Sequence, residues 1–161
     1  MDIVIKKMQT DAEIRGKAYV HYRAWQEAYR GLMDPAYLDS VTLEKCEKAA
    51  YRWPDNILVA KDGENVVGFV VYSDCRDEDL PDAGEVVAIY VLSGYYGTGT
   101  GQKLMDAALG ILDRPCVAVW VLRGNARAIR FYEKNGFVFD GAQKPLSPGA
   151  KETELRMILT R

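Results

Sequence analysis

The spacing of apolar residues along the first third of the chain predicts helices. Apolar side chains recur at helical spacing over 14–29, after a capping signal in which Glu13 follows Thr10 by three residues. Gly31 is predicted to end this helix. A second helical region is predicted over 35–51.

Short runs of β-branched and aromatic residues predict strands over the rest of the chain. The predicted strands cover residues 2–8, 56–61, 66–72, 85–92, 116–122, 137–140 and 152–159, and the two later helices end near residues 113 and 135. This order predicts an α/β (α+β) fold, with a mixed central sheet of about seven strands and helices on both faces. A length of 161 residues fits one domain over 1–161 and is too short for two ordinary domains.

Composition narrows the class of protein. Hydrophobic residues make up 48% and charged residues 27%, as in ordinary globular proteins, and the formal net charge of -2 gives no electrostatic reason to expect a nucleic acid partner. No apolar run approaches membrane-spanning length, so we expect no membrane partner and a cytoplasmic location. The cysteines at 46, 75 and 116 are odd in number and lack zinc-type spacing, which predicts reduced thiols and no metal site.

A glycine-rich turn between a predicted strand and a predicted helix is the clearest candidate for ligand binding. The segment from Tyr95 to Leu104 is YYGTGTGQKL, with glycines at 97, 99 and 101. At such a turn, the unpaired N–H groups of the helix start and the positive end of the helix dipole face outward. The segment therefore predicts a site for an anion such as the phosphate of a ligand.

Two common nucleotide-binding motifs do not fit this turn. A Walker-type loop requires Gly-Lys followed by Ser or Thr, whereas Gly101 is followed by Gln102 and the lysine comes one place late. A Rossmann fingerprint requires its third glycine at the place that Gln102 occupies. Both nucleotide interpretations are therefore poor.

Two segments together resemble the GNAT N-acetyltransferase superfamily. Gly99 and Gly101 fit that family's Q/R-x-x-G-x-G/A loop, and NARAIRFYEKNGF over 125–137 is similar to its N-x-x-A-x-x-F-Y-x-x-x-G-F segment. One departure concerns the first residue of the loop, where Tyr96 stands in place of the usual glutamine or arginine. The substitution predicts a weaker side-chain contact to the pyrophosphate and leaves the backbone donors in place.

The resemblance implies the GNAT acyl-CoA N-acyltransferase fold and direct transfer of an acetyl group from acetyl-CoA, as cosubstrate, to a primary amine, without a metal. It implies that the glycine turn holds the pyrophosphate and that the strand at 89–91 pairs with the pantetheine arm, the N–H of Val91 polarising the thioester carbonyl. It also implies that Asn125 contacts that arm beside capping its helix. The residues implied to bind the cofactor are Ile89, Tyr90, Val91, Tyr96, Gly97, Thr98, Gly99, Thr100, Gly101, Gln102 and Asn125.

The resemblance also implies two catalytic residues. Tyr132 occupies the family's general-acid position, and the alternative for it is an aromatic core residue beside Phe131. Glu85 precedes Gly99 by the spacing of the glutamate base in the histone acetyltransferases of this superfamily, and the alternative is a solvent-facing strand residue. His21, the one histidine, is expected to have a structural or solvated role.

The acceptor is less determined by the sequence. Acidic residues crowd 74–82; such a run is usually solvated surface, but beside the acceptor site it would favour a cationic acceptor. The segment 21–31 is also loosely similar to the first helix of bacterial polyamine acetyltransferases, which favours a polyamine or another small cationic amine. A protein N-terminus or lysine, an amine-bearing antibiotic, and a non-catalytic acyl-CoA-binding or sensor domain are the alternatives. Because homodimers are common in the superfamily, the resemblance also implies a possible homodimer.

Overall fold

The computed structural model describes residues 1–161 and forms a mixed seven-stranded sheet. In chain order the elements are β1 (Ile3–Lys7), α1 (Asp11–Tyr29), α2 (Pro35–Ser40), α3 (Leu43–Arg52), β2 (Ile57–Asp62), β3 (Asn65–Asp74), β4 (Gly84–Val91), α4 (Thr100–Ile111), β5 (Cys116–Leu122), α5 (Ala126–Lys134), β6 (Val138–Pro145) and β7 (Thr153–Thr160). The strand order is β1-β2-β3-β4-β5-β7-β6; β4 and β5 are parallel, whereas β1–β2, β2–β3, β5–β7 and β6–β7 are antiparallel. The predicted mixed α/β sheet of seven strands is confirmed.

The residues group into two compact units. The first unit comprises residues 1–72 and 88–111, and the second comprises 73–87 and 112–161. The single domain over 1–161 stays a prediction. No helix in either unit is both long and apolar enough to span a bilayer, and all three cysteines are free.

Local signals account for the start of α1 in the first unit. The Thr10 hydroxyl accepts a hydrogen bond from the Glu13 N–H (3.1 Å), and the Glu13 carboxylate accepts one from the Thr10 N–H (3.0 Å). The predicted capping box is therefore confirmed. On later turns of the helix, Val20 and Ala24 are buried in one core cluster with Phe69 of β3.

Glu13 also forms a buried charge cluster. Its carboxylate accepts hydrogen bonds from Lys6 (2.6 Å) and Lys61 (3.2 Å) in addition to the N–H groups of Gln9 and Thr10. Burial alone would raise the pKa of this carboxyl, but these four donors hold it well below its usual range. Because the folded-state pKa is depressed, the stability that Glu13 contributes is complete above the pKa of the unfolded chain and is lost as the pH falls toward the folded value.

We expect Glu13→Gln to lower the free energy of unfolding at neutral pH by about 2 kcal/mol, because a charged acceptor is lost from two ammonium groups. The difference from wild type should shrink as the pH falls from about 5 toward 2, because protonation removes the same charge from the wild-type protein. Urea unfolding across this range measures the effect, with Glu44→Gln at an exposed ion pair as the control. A difference that stays constant down to low pH would contradict the assignment.

The prediction of a single helical region over 35–51 is wrong in one respect, because the structure has two helices there. The first ends at Ser40 and the second begins at Leu43. The Thr42 hydroxyl accepts a hydrogen bond from the Lys45 N–H (3.2 Å) and so caps a new helix. The capping threonine was the signal for this break.

A buried arginine organises the acidic loop before β4 in the second unit. Arg156 of β7 pairs with Asp77 (3.1 Å), Asp79 (2.7 Å) and Asp140 (2.7 Å). Asp77 also accepts a hydrogen bond from the Trp120 indole (3.0 Å). The expectation of a merely solvated acidic run is wrong for Asp77, because its side chain is only 17% exposed and helps to neutralise the guanidinium of a residue that is 5% exposed.

Candidate active site

The glycine turn connects β4 to α4 with positive backbone φ angles. A short 3₁₀ turn at Ser93–Tyr95 precedes Gly97 (φ 76°) and Gly99 (φ 84°), and α4 begins at Thr100. No atom lies within 4 Å of the position that a Cβ would take on either glycine, apart from the immediate chain neighbours. Because the first N–H groups of a helix lack intrahelical acceptors, this open backbone can bind an anion.

Side chains of the first unit hold the turn in place. Glu27 of α1 accepts hydrogen bonds from the Ser93 N–H (3.1 Å) and the Ser93 hydroxyl (2.6 Å). The Tyr95 hydroxyl donates to Asp62 at the end of β2 (2.7 Å), and the Thr98 hydroxyl donates to the Tyr95 carbonyl (2.6 Å). These contacts fix the conformation from which the glycine N–H groups are presented.

The strand residues predicted to bind the cofactor form the second half of β4. The parallel pairs between β4 and β5 end at Val86, before residues 89–91. On the neighbouring strand β3, a Cβ at Gly68 would lie 3.0 Å from the Tyr90 carbonyl oxygen. The glycine therefore permits the close approach of the two backbones.

The side chain of Tyr90 belongs to an aromatic cluster in the first unit. Its hydroxyl is 2.8 Å from the Tyr29 hydroxyl, and its ring packs against those of His21, Trp25 and Phe69. His21 and Tyr90 are stacked with an interplanar angle of 15°. The predicted structural role of His21 agrees with this packing.

Glu85 is buried in the second unit and ion-paired. The residue is 1% exposed, and its carboxylate accepts hydrogen bonds from the Arg76 backbone N–H (3.1 Å), Nε (3.2 Å) and Nη2 (2.6 Å). The alternative of a solvent-facing strand residue is therefore wrong. A carboxylate offers about four acceptor positions, so the three bonds from Arg76 leave one position for another donor.

Asn125 and Tyr132 lie on the first and second turns of the α5 region in the second unit. The Asn125 side-chain oxygen accepts a hydrogen bond from the Ala128 N–H (3.3 Å), which confirms the predicted helix cap. Tyr132 is 7% exposed, and its ring packs edge-on against Phe131 and Phe137 at 5.7 Å and 5.8 Å. The ring is therefore part of a core, and the catalytic role of its hydroxyl stays a prediction.

The predicted site residues fall into two groups. The first unit brings together the strand residues 89–91 and the turn residues 96–102. Glu85, Asn125 and Tyr132 belong to the second unit.

The family model for the GNAT acetyltransferases matches residues 17–137, which is more than half of the chain. The chain belongs to the GNAT family. It is therefore an N-acetyltransferase, as the sequence predicted.

Individual relatives of this GNAT chain agree with the family model. A protein of Archaeoglobus fulgidus named an uncharacterized N-acetyltransferase is 34% identical over 123 residues, which are 68% of this chain and 79% of the relative. A protein of Mycobacterium tuberculosis named a probable N-acetyltransferase is 28% identical over 139 residues, or 81% and 79% of the two chains. The crystal structure of the PaiA N-acetyltransferase of Thermoplasma acidophilum in complex with coenzyme A has a TM-score of 0.75, covers 100% of both chains and is 20% identical. That structural likeness shows a shared fold.

Three residues that support the candidate site of this GNAT chain were missed in the sequence. Glu27 and Asp62 accept hydrogen bonds from the glycine turn, and Arg76 donates to Glu85. No local pattern marks Glu27, because its partner Ser93 lies 66 residues away along the chain.

Proposed function

We propose that this GNAT chain transfers an acetyl group from acetyl-CoA to a primary amine of a small molecule. The observation that carries the proposal is the glycine turn, which leads into α4 with an open backbone in a chain of the acetyltransferase family. The coenzyme A present in the T. acidophilum structure supports acetyl-CoA as the donor.

The glycine turn has the features that a pyrophosphate requires. Side chains at 97 and 99 would cover the backbone that is open here. The N–H groups of Gly97 and of residues 99–102, together with the positive end of α4, supply donors for the phosphate oxygens, whereas the Thr98 N–H donates to the Tyr95 carbonyl (3.4 Å). Tyr96, at 36% exposure, replaces the usual polar side chain, so the backbone provides the larger part of the contact.

The residues 89–91 are suited to the peptide-like pantetheine arm. They are extended and lie beyond the last pair between β4 and β5. We assign the Val91 N–H to the thioester carbonyl, where one such donor is typically worth about 3 kcal/mol of transition-state stabilisation. The Asn125 oxygen caps α5, and its amide NH₂ carries two more donors for the arm.

The reaction forms a bond between the amine nitrogen and the acetyl carbon and breaks the carbon–sulfur bond, so that CoA leaves as a thiol and the amine loses a proton. Acetyl-CoA supplies the activated acetyl group. Tyr132 is assigned as the general acid that gives a proton or a hydrogen bond to the departing sulfur. The edge-on packing of its ring against Phe131 and Phe137 restricts the orientations that the ring can take.

Glu85 is assigned as the base that receives the proton of the amine. An alkyl amine is protonated at neutral pH, with a pKa of about 10 by analogy with lysine. Arg76 orients the Glu85 carboxylate and leaves one acceptor position for the amine or for a water.

We expect Glu85→Gln to lower kcat/KM near neutral pH by about 10²-fold, and to move the rise of activity to higher pH, where the amine loses its proton unaided. The pH profile of kcat/KM measures this shift. Glu78→Gln, at an exposed position in the loop before β4, is the matched control. An unshifted profile would make Glu85 and Arg76 a purely structural ion pair.

The acidic loop gives less support to a cationic acceptor than the sequence alone suggests. Asp77 and Asp79 neutralise Arg156, and Asp74 pairs with Arg114 at 2.5 Å. Paired charges produce a weaker field than free ones. A polyamine acceptor therefore stays a prediction, without added support from this loop.

Release of free CoA tests the proposed function across a panel of acceptors. The panel contains polyamines, amino acids, aminoglycosides and peptides, each mixed with acetyl-CoA and purified protein. We expect release with at least one small amine. Release with peptides alone would assign the acceptor to protein N-termini or lysines, and no release with any amine would contradict the proposal.

A further inference from the structure

Three nitrogen-bearing side chains lie on successive turns of α1, and we call them the α1 nitrogen row: Lys17, His21 and Trp25. Their spacing of four residues places them on one face of the helix. Lys17 packs over the ring of Phe69 on β3, and the His21 and Trp25 rings pack against Tyr90 on β4. All of these residues belong to the first unit.

Lys17 is a largely buried lysine without an anionic partner, and burial lowers the pKa of its ammonium. The residue is 6% exposed, and its Nζ lies 4.7 Å from the centroid of the Phe69 ring. The carboxylate of Glu13, one turn earlier, forms ion pairs with two other lysines. Burial raises the pKa of the Cys46 thiol, which is the group that acts electrostatically on Lys17, so this thiol stays neutral at physiological pH and is no counter-ion. Lysine is rarely buried unless it is paired.

His21 and Trp25 each hold a nitrogen that lacks a hydrogen-bond partner. The atoms are His21 Nδ1 and Trp25 Nε1, and both are buried. Burial, and then the charge of Lys17, lower the pKa of His21 to about 4, so the imidazole is neutral at physiological pH. Buried polar groups normally find a partner in the protein, in water or in a ligand. Trp25 Nε1 is a donor only, and His21 Nδ1 is a donor in the tautomer that carries the proton there, so the row can offer N–H donors and the charge of protonated Lys17 to an acceptor.

We propose that the α1 nitrogen row binds a carboxylate of the amine acceptor, so that the substrate class is an amino acid or another amine that carries a carboxylate. This inference rests on the proposed function. A carboxylate is an acceptor-only group with negative charge, and charge-assisted hydrogen bonds to it are the strong ones. A carboxylate therefore supplies both the acceptor atoms and the negative charge that the row lacks.

The position of the row fits an acceptor site and disfavours a polyamine. The His21 ring lies 6.5 Å from the ring of Tyr90, the residue before Val91, whose N–H is assigned to the thioester. The buried ammonium of Lys17 repels a second cation in the same environment. A zwitterionic amine places its carboxylate against that charge instead.

Matched pairs of amines that differ only by the carboxylate test this inference. Suitable pairs are lysine with cadaverine, ornithine with putrescine, and tyrosine with tyramine. We expect kcat/KM to be about 10- to 100-fold higher for the carboxylated member of the preferred pair. Equal or higher values for the decarboxylated members would overturn the inference and leave the proposed function intact.

Lys17→Met separates the charge from the packing, because methionine retains an unbranched side chain over Phe69. We expect the variant to lose the preference for the carboxylated member, mainly through a higher KM, with an unchanged Kd for acetyl-CoA. Lys48→Met on α3, where the side chain is 77% exposed, is the control. A Lys17→Met protein that retains the preference overturns the inference.

A binding measurement without catalysis distinguishes this inference from the proposed function. The indole N–H resonance of Trp25, assigned with Trp25→Phe, is expected to shift on titration with lysine and to stay in place with cadaverine. A shift without any acetyl transfer would support the carboxylate site and count against the acetyltransferase. Acetyl transfer with an indole resonance that no carboxylate moves would overturn the inference and leave the proposed function intact.

Discussion

Tyr132→Phe is expected to lower kcat for the best acceptor by about 10²- to 10³-fold, because general acid catalysis of this kind contributes on that scale. The substitution removes one oxygen and keeps the ring contacts with Phe131 and Phe137. The Kd for acetyl-CoA should therefore stay close to the wild-type value. Steady-state kinetics and calorimetric titration measure the two quantities separately.

Tyr72→Phe is the matched control for this variant, because Tyr72 is also a buried tyrosine, at 8% exposure, and has no assigned role. It should leave kcat unchanged. If Tyr132→Phe keeps the wild-type kcat with every acceptor, then Tyr132 is an aromatic core residue and the general-acid assignment fails. If the wild type binds acetyl-CoA and acetylates nothing, a binding or sensor domain explains the chain better.

Gly99→Val is expected to weaken CoA binding by at least about tenfold, for two reasons that act together. Gly99 has a φ of 84°, which a β-branched residue adopts only with strain of about 1–3 kcal/mol. The added side chain also covers backbone that is open in the wild type. Calorimetry with CoA measures the loss, and circular dichroism checks that the fold is retained.

Gly110→Ala is the control within the same helix. Gly110 lies inside α4 near its end, and a Cβ there meets nothing within 4 Å. Alanine should leave the Kd for CoA unchanged and stabilise the protein by about 0.5–1 kcal/mol. Unchanged CoA affinity in Gly99→Val would show that the ligand does not use this turn.

Features determined by neighbouring residues could be predicted from the sequence. The capping box joins Thr10 and Glu13 within one turn, and the strand predicted over 116–122 has the same limits in the structure. The cap at Asn125 follows from the same local chemistry. In each case the residues that cause the feature lie within a few positions of one another, so a short window of sequence contains the whole signal.

Contacts between distant residues could not be predicted in this way. Arg156 and Asp79 are 77 positions apart, so nothing in the acidic loop indicated that its charges were paired. Lys17 resembles any surface lysine of a helix until Phe69 is known to lie beneath it. The missing partners of the α1 nitrogen row are a property of the packed structure, because burial decides whether a polar atom without a partner is costly.

Labelled acetyl-CoA tests acetyl transfer to an amine most directly. Acetyl-CoA with a ¹³C-labelled carbonyl is incubated with the protein and the best acceptor, and the labelled carbon is followed by NMR. We predict that the thioester signal is replaced by an amide signal, with one amide formed for each CoA released, and that Gly99→Val and Tyr132→Phe slow this conversion. A labelled thioester that persists, or that is converted to free acetate alone, would contradict the account.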